Sequence, residues 1–279
     1  LRFFILQSEY GMTMDFLTFW QQMQTTIPLL SNFQLQIVWE YRSLFIDGMQ
    51  MTIGITLIAV VFGTLIGLFA GMARLADVKH GIWKYPVRFL IRWPSSAYVT
   101  FFRGTPLFVQ ILLTHFAVMP MLVHPSDGLL ISGDLASTLR QDYGAFMSGL
   151  VALTLNAGAY ITEIFRAGIQ SIAKGQFEAS RSLGMNYWQT MRFVIIPQAF
   201  RRMLPPLGNE AIMLLKDSSL VSAIGLAELA YAARTVAGAY SRYWEPYLTI
   251  SFLYLILTLL MAAGVNKLEK HFQASGGIH

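Results

Sequence analysis

The chain contains no cysteine, so disulfide bonds and thiolate-held metal sites are excluded. Charge is scarce as well: Asp, Glu, Lys and Arg make up 13% of the 279 residues, against about 25% in an average soluble domain. No G-x-x-x-x-G-K-[ST] run occurs, which removes nucleotide binding through a P-loop. Neither a G-x-S-x-G elbow nor an H-E-x-x-H helix is present. The five histidines are scattered; His115 stands alone in an apolar run and His124 in a turn-rich one, so packing and solvent explain them better than metal binding. The opening LRFFILQSEYGMTMDF lacks the charged, apolar and small-residue order of a cleavable signal. A net charge of +5 raises nucleic acid as a partner, but no basic stripe or motif supports it.

What is abundant is apolar residue, 55% of the chain, with a mean hydropathy of +0.51. The apolar runs do not alternate as barrel strands would, and several approach the roughly 20 residues that cross a bilayer as a helix. The fold class is therefore all-α and polytopic. Five spans are expected, at about 45–73, 94–122, 143–166, 204–226 and 247–265, the fourth being the weakest because Lys216 and Asp217 interrupt it. In the first, Gly63, Gly67 and Gly71 recur every four residues, a spacing that permits close helix contact.

Charge sets the orientation. Arg74, Lys79, Lys84, Arg88 and Arg92 follow the first span. Arg166, Lys174, Arg181, Arg192, Arg201 and Arg202 follow the third, and Lys267 and Lys270 the fifth. The 119–142 loop holds only Arg140, and Arg234 and Arg242 are offset by Glu228 and Glu245. The positive-inside rule then places the N-terminus outside and the C-terminus in the cytoplasm. Residues 1–43 are expected outside, with 16–40 lying at the interface on Trp20 and Trp39; 44–270 form the membrane domain and 271–279 a cytoplasmic tail. The 119–142 loop faces outward, where it either contacts an external partner or, the reading favoured here, decorates the surface.

Polar residues inside spans cost about 2.5–3.5 kcal/mol each on insertion scales. Asn156, Tyr160 and Glu163 share a face of the third span; Lys216, Asp217, Ser218 and Ser219 break the fourth; Arg103 precedes Gly104, Thr105 and Pro106, which loosen a helix. Two readings stand side by side: Glu163 pairs with Arg103 or Lys216 as internal glue, or these groups form a polar path for a zwitterionic solute. Between spans three and four, residues 175–183 form a short helix that Gly184 ends in a left-handed turn. Asn186 caps a second, running through Trp188 and Phe193 to Pro197. This knob, carrying Phe177, Met185, Tyr187 and Trp188, either docks on a soluble partner or lies flat on the membrane.

At 178–197 the spacing of Glu178, Ala179, Ser180, Gly184 and the terminal Val194-Ile195-Ile196-Pro197 resembles the EAA loop of ABC importer permeases of the type I fold. RGTPLFVQ (103–110), AYITEIFRAGIQSIAKGQFEASRSLG (159–184), PQAFRRMLPPLGNE (197–210) and LLKDSSLVSAIG (214–225) are similar to the polar amino-acid permease subfamily, the resemblance covering about 33–270. Ser180 stands where the motif has its second Ala, and Ser218 where Thr is common. The resemblance implies a five-helix core in a bacterial inner membrane and a second permease subunit, identical or related. It also implies a dimer of ATPase subunits that bind ATP and Mg, and a periplasmic binding protein that delivers an amino acid. It makes the loop 174–197 a coupling element, with Glu178, Ala179 and Gly184 meeting the ATPase, and lines the solute path with spans three and four, including Glu163, Lys216 and Asp217. A secondary transporter using Glu163 as a proton relay and a structural scaffold remain the competing classes.

Overall fold

A computed structural model describes residue 18 and residues 21–23, 33–75 and 84–274. The interfacial placement of Trp20, the topological charge of Lys79 and the end of the tail lie outside the described residues. After a short helix α1 (Leu35–Glu40) comes α2 (Arg42–Leu75). Then follow α3 (Trp93–Gly104), α4 (Leu107–Leu113) and α5 (Asp134–Gln170). The connecting segment carries α6 (Lys174–Ser182) and α7 (Tyr187–Thr190). The chain ends with α8 (Ile196–Asp217), α9 (Leu229–Tyr240) and α10 (Trp244–Ala274).

The longest interface joins α2 and α5. Gly63, Gly67 and Gly71 form its seam: a Cβ added at Gly67 would lie 2.6 Å from Ile161 Cγ2, and one at Gly71 3.2 Å from Phe165 Cβ. Helices in lipid gain little from apolar burial against one another, so close backbone approach through small residues supplies the packing. Around this seam Ile55, Ala59, Ala152, Leu153, Ala157 and Ile161 are buried.

Among the described residues, three helices are long and apolar enough to cross a membrane: Arg42–Leu75, Asp134–Gln170 and Trp244–Phe272. The second expected span is not one helix. Val87–Gly104 and Leu107–Leu122 meet at 109°, because Pro106 forces the preceding residue out of the helical region; Thr105 is extended at φ −119°, ψ 147°. The third span starts earlier than 143. Residues 134–142 belong to α5, whose 37 residues reach about 55 Å at 1.5 Å per residue, well beyond a hydrocarbon core of about 30 Å.

The fourth span also differs from its expected 204–226. Pro197 does not stop the second coupling helix: it sits in the first turn of α8, where a proline costs no hydrogen bond. A π-helical turn, Met191–Ile195, joins α7 to α8, so the coupling segment runs straight into the span. A 3-10 turn, Ser218–Ile224, then ends at Gly225, left-handed at φ 89°.

At the opposite end of the bundle, Glu228 is fully buried rather than a loop charge. It caps α9 by accepting the Ala230 and Tyr231 amides at 2.9 and 2.8 Å. It also accepts the Tyr254 hydroxyl at 2.8 Å and stands 3.5 Å from Thr52 Oγ1, tying α2, α9 and α10.

Candidate functional site

Two features outside the core carry possible chemistry, and the first is the connecting knob. Gly184 is left-handed at φ 81°. Its amide donates to the Arg181 carbonyl at 3.0 Å and that of Met185 to Ser180 at 3.2 Å, the two bonds of a Schellman turn. Asn186 and Gln189 then exchange reciprocal bonds of 2.8 and 2.9 Å, a capping box that starts α7. Ser180 and Thr190 are buried, their hydroxyls 3.0 Å apart, and Ser180 also donates to the Phe177 carbonyl at 2.8 Å. The knob is thus rigid by construction.

Of the expected docking residues, Glu178, Ala179, Gly184 and Pro197 are exposed, whereas Ser180 faces inward as a strut. Leu183 is 83% exposed and Trp188 79%, with Tyr187 and Phe193 also open. Phe177 and Met185 are half-buried, Phe177 meeting Tyr187 edge-on at 6.1 Å.

The second feature is a cavity of about 520 Å³ between α5 and α8, closed on one side by the end of α3. Its polar walls are Arg103, Tyr160, Glu163, Arg202, Asn209 and Glu210, and its volume falls in the roughly 300–1,000 Å³ range of small-molecule sites. Three expected residues, Arg103, Tyr160 and Glu163, meet here. Arg103 stacks its guanidinium over Tyr160, 5.2 Å from the ring centroid.

Glu163 does not pair with Lys216, and Arg103 is only its outer neighbour at 3.8 Å. One carboxylate oxygen takes Arg74 from the end of α2, and the other takes Arg166 at 2.7 and 2.9 Å. The glue reading of Glu163 therefore holds through Arg103, with two closer partners added: Arg166 from its own helix and Arg74, which α2 brings alongside by packing on α5 through its glycines.

Asn156 and Thr105 are drawn elsewhere. The break after Gly104 frees carbonyls that would lie bare in a membrane, and Gln110 caps them. Its side-chain amide donates to the Phe102 and Thr105 carbonyls at 2.9 and 3.0 Å and sits 2.8 Å from Thr105 Oγ1. Buried Asn156 donates in turn to Gln110 Oε1 at 3.0 Å. Lys216, Asp217, Ser218 and Ser219 do not line the cavity: Lys216 is exposed, and Ser218 is buried, donating to the Leu215 carbonyl at 2.7 Å. His115 lies 3.0 Å from Ser148 Oγ, a packing contact as expected.

Sequence reasoning passed over Arg74, Gln110, Arg202, Asn209 and Glu210. Glu210 carries a usable signal in the sequence, an acid within an expected span, as Lys216 and Asp217 do. In the sequence Arg74 carries only the signal of a topological charge.

Comparison with known proteins follows the same lines. Residues 63–273 match the family described as "Binding-protein-dependent transport system inner membrane component". The chain is 35% identical over 242 residues to the glutamine transport system permease protein GlnP of Escherichia coli (strain K12), covering 87% of this chain and 99% of that protein. It is 34% identical over 225 residues to the glutamate/aspartate import permease protein GltK of Escherichia coli O157:H7, covering 81% and 92%. A crystal structure of an amino acid ABC transporter with histidines superposes with a TM-score of 0.70 at 36% identity, covering 93% of this chain and all of that one.

Proposed function

Because the chain belongs to the family of binding-protein-dependent transport system inner membrane components, we propose that it is the permease subunit of an ABC importer for a polar or charged amino acid. It pairs with a second permease subunit in a bacterial inner membrane. It takes its solute from a periplasmic binding protein and is driven by a dimer of separate ATPase subunits, which bind the ATP and Mg. The observation that carries the motor's place is the knob: a turn stiffened by a Schellman motif and a capping box, presenting Leu183 and Trp188 almost fully exposed beside Glu178 and Ala179. A rigid apolar tip on an otherwise polar connection is expensive to leave in water, and an ATPase groove would cover it.

The mechanism is a rigid-body one. α7 continues through a π-turn into α8, so closure of the ATPase dimer against the knobs would tilt α8 as a lever. α8 forms one wall of the cavity, and tilting it would open the solute path alternately to the two sides. Lys216, Asp217, Ser218 and Ser219, at the far end of that lever, would line the path when it opens outward.

Uptake by proteoliposomes holding the purified complex tests this reading. Uptake should require the ATPase subunits and the loaded binding protein, and Glu178→Arg should uncouple it without loss of membrane insertion. A pH gradient that drives uptake through the permease alone would establish a secondary transporter instead.

A further inference from the structure

Just before α3 the chain makes a basic, aromatic segment that the bundle does not cover. No acidic residue occurs between Asp77 and Asp127, whereas Lys84, Arg88 and Arg92 recur every four residues, with Tyr85, Phe89 and Trp93 following each of them. A single turn, Lys84–Pro86, leads into a π-helical stretch, Val87–Arg92, that runs directly into α3. No residue of that stretch is buried. Leu90 is 76% exposed and Trp93 66%, with Tyr85 and Phe89 also open. The depth of the segment follows from its neighbours. Ser95 donates its hydroxyl to the Ala70 carbonyl at 2.8 Å, near the end of α2. One turn further along α3, Tyr98 and Ile66 both face Gly158, and the Tyr98 hydroxyl donates to the Leu155 carbonyl at 2.6 Å. α3 therefore recedes from Arg74 as its numbers rise, and the residues before Ser95 lie level with the charged end of α2 and α5 or beyond it. On the orientation set by the charge rule, that is the cytoplasmic headgroup layer.

We propose that residues 84–93 are an in-plane anchor that binds anionic phospholipid of the cytoplasmic leaflet. Charge complementarity selects the occupant: basic residues without an acid among them attract a surface of net negative phosphates. The aromatic and aliphatic groups beside them enter the boundary between headgroups and acyl chains. Topology alone asks only that a loop carry basic residues; it does not ask for a helical segment with aromatics at the same interval. Arg88, Phe89, Leu90 and Ile91 are exposed in succession, more than one full turn of an α-helix, so the stretch stands off the bundle instead of packing one face against it. The π-helical winding itself is a form that recurs at functional positions. The anchor is the foot of α3, whose far end carries Arg103 to the wall of the cavity.

Trp93 reports the contact. The chain, purified with the partners it carries, is placed in nanodiscs of phosphatidylcholine holding a fixed minor share of phosphatidylglycerol. Brominated acyl chains, which quench tryptophan at short range, are carried either by the phosphatidylglycerol or by an equal amount of the phosphatidylcholine. The part of the quenching lost in Trp93→Phe belongs to Trp93, one of six tryptophans. Brominated phosphatidylglycerol should quench Trp93 several-fold more strongly than brominated phosphatidylcholine. Replacing Arg88 and Arg92 together by glutamine should bring the two lipids within about twofold of each other, and replacing both by lysine should keep the preference, because attraction to phosphate needs only the charge. Salt at about 1 M, where the Debye length is about 3 Å, should also erase it. Equal quenching by the two lipids in the wild type overturns the inference. So does an absence of Trp93-dependent quenching by either lipid, which would place the segment against a protein subunit. A preference that survives the glutamine substitutions, or high salt, overturns it too. If the glutamine variant fails to assemble, the salt series on the wild type decides. The measurement needs neither solute nor nucleotide, so its outcome is independent of the importer reading.

Discussion

Replacing Gly184 by alanine, alone and with Asn186→Ala, probes the knob without touching anything packed around it. A Cβ at Gly184 would meet nothing within 4 Å, so the cost comes from the backbone alone. Holding an L-residue in the left-handed conformation at φ 81° costs about 1–2 kcal/mol, and losing the Asn186 cap costs about 1 kcal/mol more. Adjacent positions are not fully additive, so the pair loses about 2–3 kcal/mol. At 1.4 kcal/mol per factor of ten, that is a loss of up to roughly 30- to 150-fold in the population of the intact turn. α6 cannot absorb it: at nine residues it is shorter than the roughly 12–15 residues at which an isolated helix is even marginal.

In proteoliposomes holding the full complex, ATPase stimulation by loaded binding protein should fall several-fold in Gly184→Ala and tenfold or more in the double variant. Hydrogen exchange over 174–190 should rise in parallel. Gly184→Asn should stay near wild type, because asparagine tolerates the left-handed region. Wild-type coupling in the double variant would refute the claim that this turn must be preformed. If Gly184→Asn uncouples as badly as Gly184→Ala while hydrogen exchange is unchanged, the turn's geometry is not what matters.

Two further outcomes concern the membrane core. Gln110→Leu removes the amide that caps the Phe102 and Thr105 carbonyls and the acceptor of Asn156, leaving Phe102 only the 3.3 Å bond from the Asn156 amide. Groups left unsatisfied cost about 1–3 kcal/mol each, so thermal unfolding of the complex should drop by about 5–15 °C; an unchanged midpoint would show that the break closes by other means. Gly67→Val drives a side chain into Ile161, and overpacking there should cost about 1–3 kcal/mol. Gly54→Ala, with nothing within 4 Å of its new Cβ, should be neutral in the same assay, and equal losses in the two would refute the glycine seam.

The sequence by itself determined whatever depends on near neighbours along the chain. The apolar runs declared a helical membrane protein. The four-residue glycine spacing named the face of α2 that meets α5. Gly184 and Asn186 located the knob's turn, because a left-handed residue and an N-cap act over only a few positions. Ser180 was legible as part of the motif but not as an inward strut, since that depends on Thr190 coming back beside it.

Tertiary structure decided which polar groups meet, because partner choice depends on how helices rotate and slide against one another. Arg74 reaches Glu163 across 89 residues of sequence, and Asn156 reaches Gln110 across 46. The α2–α5 seam brought Arg74 to Glu163 where Lys216 stays away, and the break at Pro106 brought Gln110 to Asn156. Glu210 gains its meaning the same way: in the sequence it is one acid in a span, and in the fold it lines a cavity with Arg103 and Glu163.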